Sequence, residues 1–190
     1  MYLSTDQIYN NSGFNSEDNA KPSNLYSQTK FISENIVLCL NNSVVVRTNF
    51  YGFFPNHKDS LVNWFLKCAK KNIKIKLIKD IYFNPLYVHQ LCLYLLEIIK
   101  NYKIQGIFNL GAKNKISKGE LLYKIGERIN YKKKKMRFQN VESLKLKAYR
   151  PRNMVMKVRK IEKILNKSMP TINLGLNNLI FKIKDNEAFK

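Results

Sequence analysis

The stretch that decides the fold is Asn-Leu-Tyr-Ser-Gln-Thr-Lys at residues 24–30, taken together with Leu-Ser-Thr-Asp at residues 3–6. If residues 24–30 lie on a helix, Tyr26 and Lys30 are one turn apart on the same face. An ammonium group in that position stabilises the tyrosinate and lowers the phenol pKa from its usual value of about 10. Tyr26 can then exchange a proton with a carbonyl or an alcohol, and the Thr5 hydroxyl, at the end of a predicted strand, can hold the same oxygen atom.

The Tyr-x-x-x-Lys spacing is not specific by itself, because Tyr131 and Lys135 share it inside a lysine run without any expected catalytic meaning. The order of the surrounding segments is more specific. A strand ending in Ser-Thr-Asp is followed by a polar loop, by the helix that contains Tyr26, and by Ser-Val-Val-Val-Arg-Thr-Asn-Phe-Tyr-Gly at residues 43–52. The apolar run at residues 44–46 is typical of a strand covered on both faces, and hence of a parallel sheet.

This order of segments resembles the extended short-chain dehydrogenase/reductases, and within them the dTDP-4-dehydrorhamnose reductases. Three further segments agree with the resemblance. They are a Pro-x-x-Val segment within residues 80–91, the sequence Gly-Ile-Phe-Asn-Leu-Gly at residues 106–111 followed by Ile-Ser-Lys at 116–118, and Arg-Pro-Arg-Asn at residues 150–153 before a predicted helix at residues 160–165. The resemblance therefore extends from Met1 to about residue 176.

The resemblance implies an α/β fold: the C-terminal half of a Rossmann-like doubly wound parallel sheet with a small α+β substrate-binding part. Residues 1–56 would form the catalytic strand-loop-helix-strand part of the NAD(P)-binding fold. Residues 57–190 would form the substrate-binding part, within which residues 81–111 return to the Rossmann-like sheet.

One feature of the family does not occur in this sequence. The family opens with a strand and a glycine-rich turn that holds the dinucleotide pyrophosphate at a helix N-terminus. The seven glycines of this chain never approach that spacing. Roughly 100 residues of a complete nucleotide-binding half are therefore expected to lie elsewhere, either upstream of Met1 or on a separately encoded chain.

The resemblance also implies roles for individual residues. Reduced NADH or NADPH would deliver a hydride to the C4 ketone of a nucleotide-sugar, dTDP-4-dehydro-6-deoxy-L-mannose. Tyr26 would protonate the new alkoxide, and Lys30 would lower the pKa of Tyr26 and hold the nicotinamide ribose. Thr5 would donate a hydrogen bond to the carbonyl oxygen, Asp6 would orient the loop or the sugar, and Asn49 would contact the substrate or the nicotinamide end of the cofactor.

Two other functions stay open. An NAD-dependent epimerase or dehydratase of another nucleotide-sugar uses the same fold, although the Ser-Thr-Asp sequence at residues 4–6 favours the reductase. A binding subunit without catalysis is the second alternative, against which the intact Thr5, Tyr26 and Lys30 argue. The resemblance leaves a homodimer open as the assembled form.

Composition excludes several classes of protein. The net charge is +21, but the lysines are spread over nearly every segment and only residues 132–135 form a dense cluster, so a nucleic-acid partner is not expected. A basic surface does attract an anionic nucleotide-sugar. Apolar runs are too short to span a bilayer, His57 and His89 lack the neighbours that a metal requires, and a cytoplasmic enzyme without a metal is predicted.

Local patterns give three expectations about burial. The stripe formed by Leu25, Ile32, Ile36 and Leu40 is expected to face the core. The polar loop from residue 9 to residue 22 is expected to be irregular and exposed. The three cysteines lie far apart in apolar patterns and are expected to be reduced core residues, at positions Cys39, Cys68 and Cys92.

Overall fold

The computed structural model describes residues 1–55, 60–101, 103–144 and 147–185, so the prediction for His57 falls outside the described residues. The helices are α1 (Leu25–Leu38), α2 (Leu61–Lys70), α3 (Val88–Lys100), α4 (Lys118–Arg128), α5 (Arg159–Leu165) and α6 (Ile172–Asp185). The strands are β1 (Tyr2–Thr5), β2 (Val44–Thr48), β3 (Phe50–Tyr51), β4 (Ile75–Ile78), β5 (Tyr82–Phe83), β6 (Leu86–Tyr87), β7 (Gly106–Leu110), β8 (Ile116–Ser117) and β9 (Met136–Gln139). Short 3-10 turns span Asp6–Ile8, Lys133–Lys135 and Val141–Leu144.

The central sheet has the order β1-β2-β7, and both pairs of strands are parallel. Thr5 lies opposite Thr48, and Thr48 lies opposite Leu110, so the carboxyl ends of all three strands are level. Because α1 joins the end of β1 to the start of the parallel β2, α1 must run antiparallel to both strands. The predicted α/β fold with a parallel sheet is confirmed.

Smaller strand pairs complete the remainder of the chain: β4 with β9, β3 with β6, and the antiparallel pair β5 with β8. The α4 helix begins beside β8, where Ser117 caps it in a reciprocal capping box with Glu120. Gly119, in its first turn, lies so close to Ile78 that an added Cβ would be 2.7 Å from the Ile78 carbonyl oxygen. The N-terminus of α4 is therefore held tightly against β4.

The α1 helix begins after Asn24, which caps it. The Asn24 side chain accepts a hydrogen bond from the Ser27 backbone, and the Ser27 hydroxyl accepts one from the Asn24 backbone. The chain after the helix turns at Asn42, whose φ of 57° is the left-handed conformation that asparagine tolerates better than most residues.

The orientation of α1 is the reverse of the prediction. Leu25 is 76% exposed and Ile36 is 66% exposed, and Ile32 and Leu40 are also on the outside. At 100° per residue, Glu34 lies about 180° around the helix from Leu25, and Glu34 is completely buried. The prediction from the apolar pattern was wrong. The face of α1 that packs against the sheet carries the charged Glu34, and the apolar stripe faces outward.

Glu34 is buried because it forms an ion pair with Arg47 of β2, which is only 1% exposed. Arg47 donates from Nε to both carboxylate oxygens at 3.1 Å and from Nη2 to one of them at 2.7 Å. Burial alone would lower the pKa of Arg47, but the hydrogen bonds with Glu34 and the charges around it raise the pKa, so Arg47 stays charged. Side chains alternate along a strand, so Arg47 points to the α1 side of the sheet while Val46 joins the main core on the other.

The expectation of an exposed loop at residues 9–22 is also wrong for its anchoring residues. Tyr9 has no exposed surface, and its hydroxyl accepts a hydrogen bond from Arg47 and donates one of 2.7 Å to Asn109. Asn15 forms a bridge with Met156 and is 1% exposed. Buried polar partners from β2, β7 and the segment near Met156 therefore hold this loop in place, and its exposed residues are those around Gly13 together with Asp18, Asn19 and Lys21.

The cysteines differ from the expectation that all three are core residues. Cys39 and Cys92 are exposed, whereas Cys68 is half-buried against the core, so only Cys68 matches the core prediction. The same outward face of α3 that carries Cys92 also exposes Leu93 and Ile99.

No described helix combines the length and the hydropathy that crossing a bilayer requires.

The buried ion pair gives a test of the fold. Changing Glu34→Gln leaves the Arg47 charge buried without a counter-charge, and we expect the free energy of unfolding to fall by about 3–5 kcal/mol. The matched control is Glu97→Gln, which removes the exposed pair with Lys167 and should change stability by less than about 1 kcal/mol. Urea unfolding of the two variants measures both changes, and equal losses would contradict the role assigned to the buried pair.

Candidate active site

Three of the predicted site residues lie together at the carboxyl ends of β1 and β2. Thr5 is the last residue of β1, Asp6 follows it, and Asn49 follows the last residue of β2. The parallel register places Thr5 beside Thr48, which brings Asn49 to Asp6. Carboxyl ends of parallel strands are where open α/β sheets bind ligands, so the predicted site residues occupy the expected edge.

A short hydrogen-bond chain connects these residues. The Asn49 amide donates to one Asp6 carboxylate oxygen at 2.8 Å, and the Thr5 hydroxyl donates to the other at 3.4 Å. Thr5 also caps the 3-10 turn, because its hydroxyl oxygen accepts a hydrogen bond of 3.2 Å from the Gln7 backbone. The positions of Thr5 and Asn49 are therefore both fixed by Asp6.

Asp6 itself has no solvent-exposed surface. Burial raises its pKa from 3.8 to about 7, while hydrogen bonds from Asn49 and Thr5 and the charge of Lys118 act in the opposite direction. A carboxyl group without exposed surface does not contact a sugar in this conformation. In this structure Asp6 holds the turn and Asn49, and its predicted role in orienting the loop or the sugar stays a prediction.

Tyr26 lies in the first turn of α1, towards the carboxyl edge of the sheet. Lys30 Nζ donates to the Leu3 carbonyl of β1 at 2.7 Å. Tyr26 is four residues nearer the start of α1, about 6 Å along its axis, and Thr5 is two residues further along β1, about 6.6 Å. Because α1 and β1 run in opposite directions, Tyr26 and Thr5 are displaced from this contact in the same direction, towards the carboxyl edge.

The Tyr26 side chain is available for a ligand. It is 51% exposed, and its hydroxyl has no hydrogen-bond partner among the described residues. Lys30 is directed at β1, where its ammonium also lies 4.2 Å from the centre of the Tyr2 ring. Tyr26 and Thr5 therefore both lie towards the carboxyl edge, and Lys30 holds α1 against β1.

Three residues near the edge were missed by the sequence-based predictions. Asn109 donates to the backbone of Asn15 and accepts from Tyr9, which joins β7 to the loop. Asn84 is fully buried and bonds to the backbones of Ala112 and Met156. No sequence signal distinguishes these asparagines from the many others in this chain.

Lys118 is the third residue that was missed. It is the first residue of α4, and its charge acts on Asp6 across the edge of the sheet. Its ammonium lies 5.9 Å from the centre of the Phe83 ring. Burial lowers the pKa of Lys118, and Asp6 acts to raise it. The Ile-Ser-Lys sequence at residues 116–118 supports the family resemblance, but only the packing of α4 shows that the charge of Lys118 acts on Asp6.

Ligand-binding groups at this edge are hydroxyls, an amide and cations. Within the described parts of the chain, no cluster of His, Cys, Asp and Glu has the composition for a metal ion. Tyr26 carries an exposed phenol on α1, and Thr5 carries a hydroxyl at the end of β1. The parallel Rossmann-like sheet, with these polar groups towards its carboxyl edge, defines the chain as an α/β protein.

The family is shown by comparison of sequences. The chain belongs to the family described as the RmlD substrate binding domain, whose model matches residues 1–184. No curated protein sequence matches the chain.

Solved structures with the same fold include dTDP-4-dehydrorhamnose reductases and a dTDP-glucose 4,6-dehydratase. The reductase of Bacillus anthracis, solved in complex with NADP, is 24% identical with a TM-score of 0.85, and the match covers 95% of this chain and 64% of that one. The enzyme of Clostridium acetobutylicum is 21% identical with a TM-score of 0.85, covering 96% and 65%. A dTDP-glucose 4,6-dehydratase of Bacillus anthracis, in complex with NAD, is 20% identical with a TM-score of 0.80, covering 98% and 62%. This chain thus spans slightly less than two thirds of the length of these proteins.

The buried carboxyl group predicts a pH dependence of stability. Between about pH 4 and about pH 7 the folded protein keeps a proton on Asp6 that the unfolded chain has released, so the free energy of unfolding should fall as pH rises through this window. The full effect is on the order of 4 kcal/mol.

Asp6→Asn removes the titrating group and should flatten this part of the curve. Urea unfolding at several pH values between about 4 and about 8 measures the slope for both proteins. Parallel curves for the wild type and the variant would contradict a raised pKa at Asp6.

Proposed function

We propose that this chain carries the catalytic and substrate-binding part of a nucleotide-sugar reductase of the dTDP-4-dehydrorhamnose reductase type. The proposal is supported by the exposed Tyr26 and the strand-end Thr5, both displaced towards the carboxyl edge of the parallel sheet, in a chain whose family match covers residues 1–184. Residues 1–56 hold the proposed catalytic groups, and residues 57–190 are proposed as the substrate-binding part.

The proposed roles follow from the positions of the side chains. The Tyr26 phenol is exposed and donates a proton to the alkoxide oxygen that reduction creates on the sugar. Thr5 donates a hydrogen bond to the same oxygen atom. Lys30 lies one turn from Tyr26, where its positive charge stabilises the tyrosinate that remains.

The groups at the edge also fit a nicotinamide nucleotide. The Lys30 ammonium and the half-buried Asn49 amide are donors suited to the hydroxyls of a ribose and to an amide oxygen. NADH or NADPH, when bound, supplies the hydride. In this proposal the chain's own residues orient the nucleotide and exchange the proton with the substrate.

We propose that a further polypeptide segment, upstream of Met1 or separately encoded, supplies the pyrophosphate-binding half. Within the described residues, β1 pairs with β2 alone, and Met1 and Leu3 beside its other edge are 49% and 43% exposed. A parallel strand added at this edge would cover both side chains and satisfy the unpaired backbone groups. The assembled protein is proposed to work in the cytoplasm.

The experiment that tests the proposal is reduction of dTDP-4-dehydrorhamnose by the chain assembled with a pyrophosphate-binding half. Tyr26→Phe keeps the ring but removes the proton donor, and we expect kcat/KM to fall by about 100-fold or more. The loss of nicotinamide absorbance measures the rate. Analysis of the sugar product separates reduction from epimerisation or dehydration, the activities of other proteins with this fold.

Tyr131→Phe is the matched control, since Tyr131 has the same spacing to Lys135. Its hydroxyl donates to the Ile73 carbonyl, far along the chain from the proposed site. The control should keep its kcat/KM once the folded fraction is taken into account. If Tyr26→Phe reduces the sugar as fast as wild type, Tyr26 is not the proton donor. If the assembled protein binds the nucleotide-sugar without reducing it, the chain is a binding subunit.

We also propose that the assembled protein is a homodimer that pairs through the exposed stripe of α1. This stripe runs along one face of a single helix, so two copies related by a twofold axis can cover it mutually. Ile36→Glu should shift the assembled protein to monomers in sedimentation experiments. Leu93→Glu, at an equally apolar and exposed position of α3, is the control that should leave the dimer intact. Unchanged sedimentation of the Ile36→Glu variant would contradict the proposal.

A further inference from the structure

The Thr5 hydroxyl is already committed in this structure. A hydroxyl has one hydrogen to donate, and Thr5 donates it to Asp6 at 3.4 Å. Its oxygen accepts from the Gln7 backbone at 3.2 Å. A substrate carbonyl oxygen needs a donor, so Thr5 cannot bind that oxygen while its hydrogen is directed at an ionised Asp6.

Protonation of Asp6 resolves this conflict without any movement of the backbone. A neutral carboxyl group donates one hydrogen bond, and Asp6 can direct it at the second lone pair of the Thr5 oxygen. The hydrogen of Thr5 is then free for a substrate. Asn49 donates to the other carboxyl oxygen of Asp6 at 2.8 Å, and that contact is compatible with both protonation states.

Lys118 is the group that opposes protonation. The backbone of Lys118 is held in place, because its N–H donates to the Ile81 carbonyl at 2.9 Å and the next residue, Gly119, packs tightly against β4. Its ammonium lies beside the Phe83 ring and acts on Asp6 without a direct salt bridge between the two residues, both of which lie in the described part of the chain. An ammonium that acts on Asp6 without a salt bridge favours the charged carboxylate but leaves its oxygen atoms free for Thr5 and Asn49.

The other charged groups near Asp6 are engaged elsewhere. On α1, which packs against the turn containing Asp6, Lys30 binds the Leu3 carbonyl and Glu34 is paired with Arg47. Arg150 faces Lys118, and its charge disfavours the ammonium form of that lysine. Asp6 and Lys118 are therefore the pair of charges whose balance decides the direction of the Thr5 hydrogen bond.

We propose that Asp6 and Lys118 are positioning residues for Thr5: Asp6 carries a proton when substrate binds and donates a hydrogen bond to Thr5, and Lys118 sets the pH range in which this arrangement exists. The inference rests on the proposed reduction of a carbonyl group. It adds a proton-controlled donor behind the hydroxyl that binds the substrate oxygen. Its consequence is that activity falls at high pH because Asp6 loses its proton, although Asp6 does not contact the substrate.

The first experiment does not depend on activity. Carboxyl carbons of aspartate are labelled with 13C in the full chain, and Asp6→Asn identifies the Asp6 signal by its loss. We expect the Asp6 signal to titrate at about pH 7 in the wild type. The midpoint should move to higher pH in Lys118→Met, which removes the charge, and should stay near the wild-type value in Lys118→Arg.

A second variant protects the experiment against misfolding. If Lys118→Met does not fold, Lys118→Gln also removes the charge and should move the midpoint in the same direction. A midpoint that is the same with and without a cation at position 118 would overturn the inference, as would an Asp6 that titrates near its ordinary value.

The second experiment measures the pH profile of kcat/KM in the assembled protein. Activity should fall as pH rises through the Asp6 midpoint, and in Lys118→Met this fall should move to higher pH by the shift that the 13C signal shows. Asp6→Asn, whose amide donates at every pH, should lose this step in the profile. If Asp6 titrates as expected but no carbonyl is reduced, the proposed function fails; if reduction occurs with a step that ignores Lys118, the inference fails and the function stands.

Discussion

The buried ion pair between Glu34 and Arg47 is the constraint on which the arrangement of the site depends. Two charges with almost no exposed surface are tolerated only because three hydrogen bonds join them. This pair determines the rotation of α1 about its axis. With Glu34 facing β2, Tyr26 lies about 80° around the helix from Glu34, on an exposed flank, and a rotation by half a turn would carry it to the opposite flank.

The same arginine holds the loop that follows β1. Its second amino group donates to the Tyr9 hydroxyl and to the Glu17 carbonyl, and the Tyr9 hydroxyl in turn donates to Asn109 of β7. Burial raises the pKa of Tyr9 to about 12, although the Arg47 charge acts against this, so its phenol keeps the proton that the bond to Asn109 requires. The helix, the loop and two strands thus share one polar centre, and the residues at the ligand edge are positioned by it.

Sequence patterns predict the local parts of this structure and miss the long-range ones. The caps at Asn24 and Ser117 depend on residues three positions away, so they are readable in the sequence. The meeting of Thr5 with Asn49 follows from the general geometry of parallel strands. The orientation of α1 was predicted wrongly because it depends on a contact between separate elements.

Lys118 was missed for a similar reason. Its approach to Asp6 depends on how α4 packs against β4 and β8, which no local pattern encodes. In a chain with 34 lysines and arginines, charge alone does not single out this residue. The sequence can therefore predict the edge of the sheet at which Thr5, Asp6 and Asn49 meet, but the electrostatic environment of that edge becomes visible only after the elements are packed.

The bridge between Asn15 and Met156 constrains the order in which the protein can form during synthesis. The Asn15 side chain donates to the Val155 carbonyl, 140 residues further along the chain, and its backbone bonds to the same segment. On the ribosome, the loop after β1 emerges early but has no partner until almost the whole chain has been translated. The ligand edge is therefore among the last parts of the molecule to become ordered, and a nascent chain that stops before residue 155 contains Thr5 and Tyr26 without the contacts that position their loop.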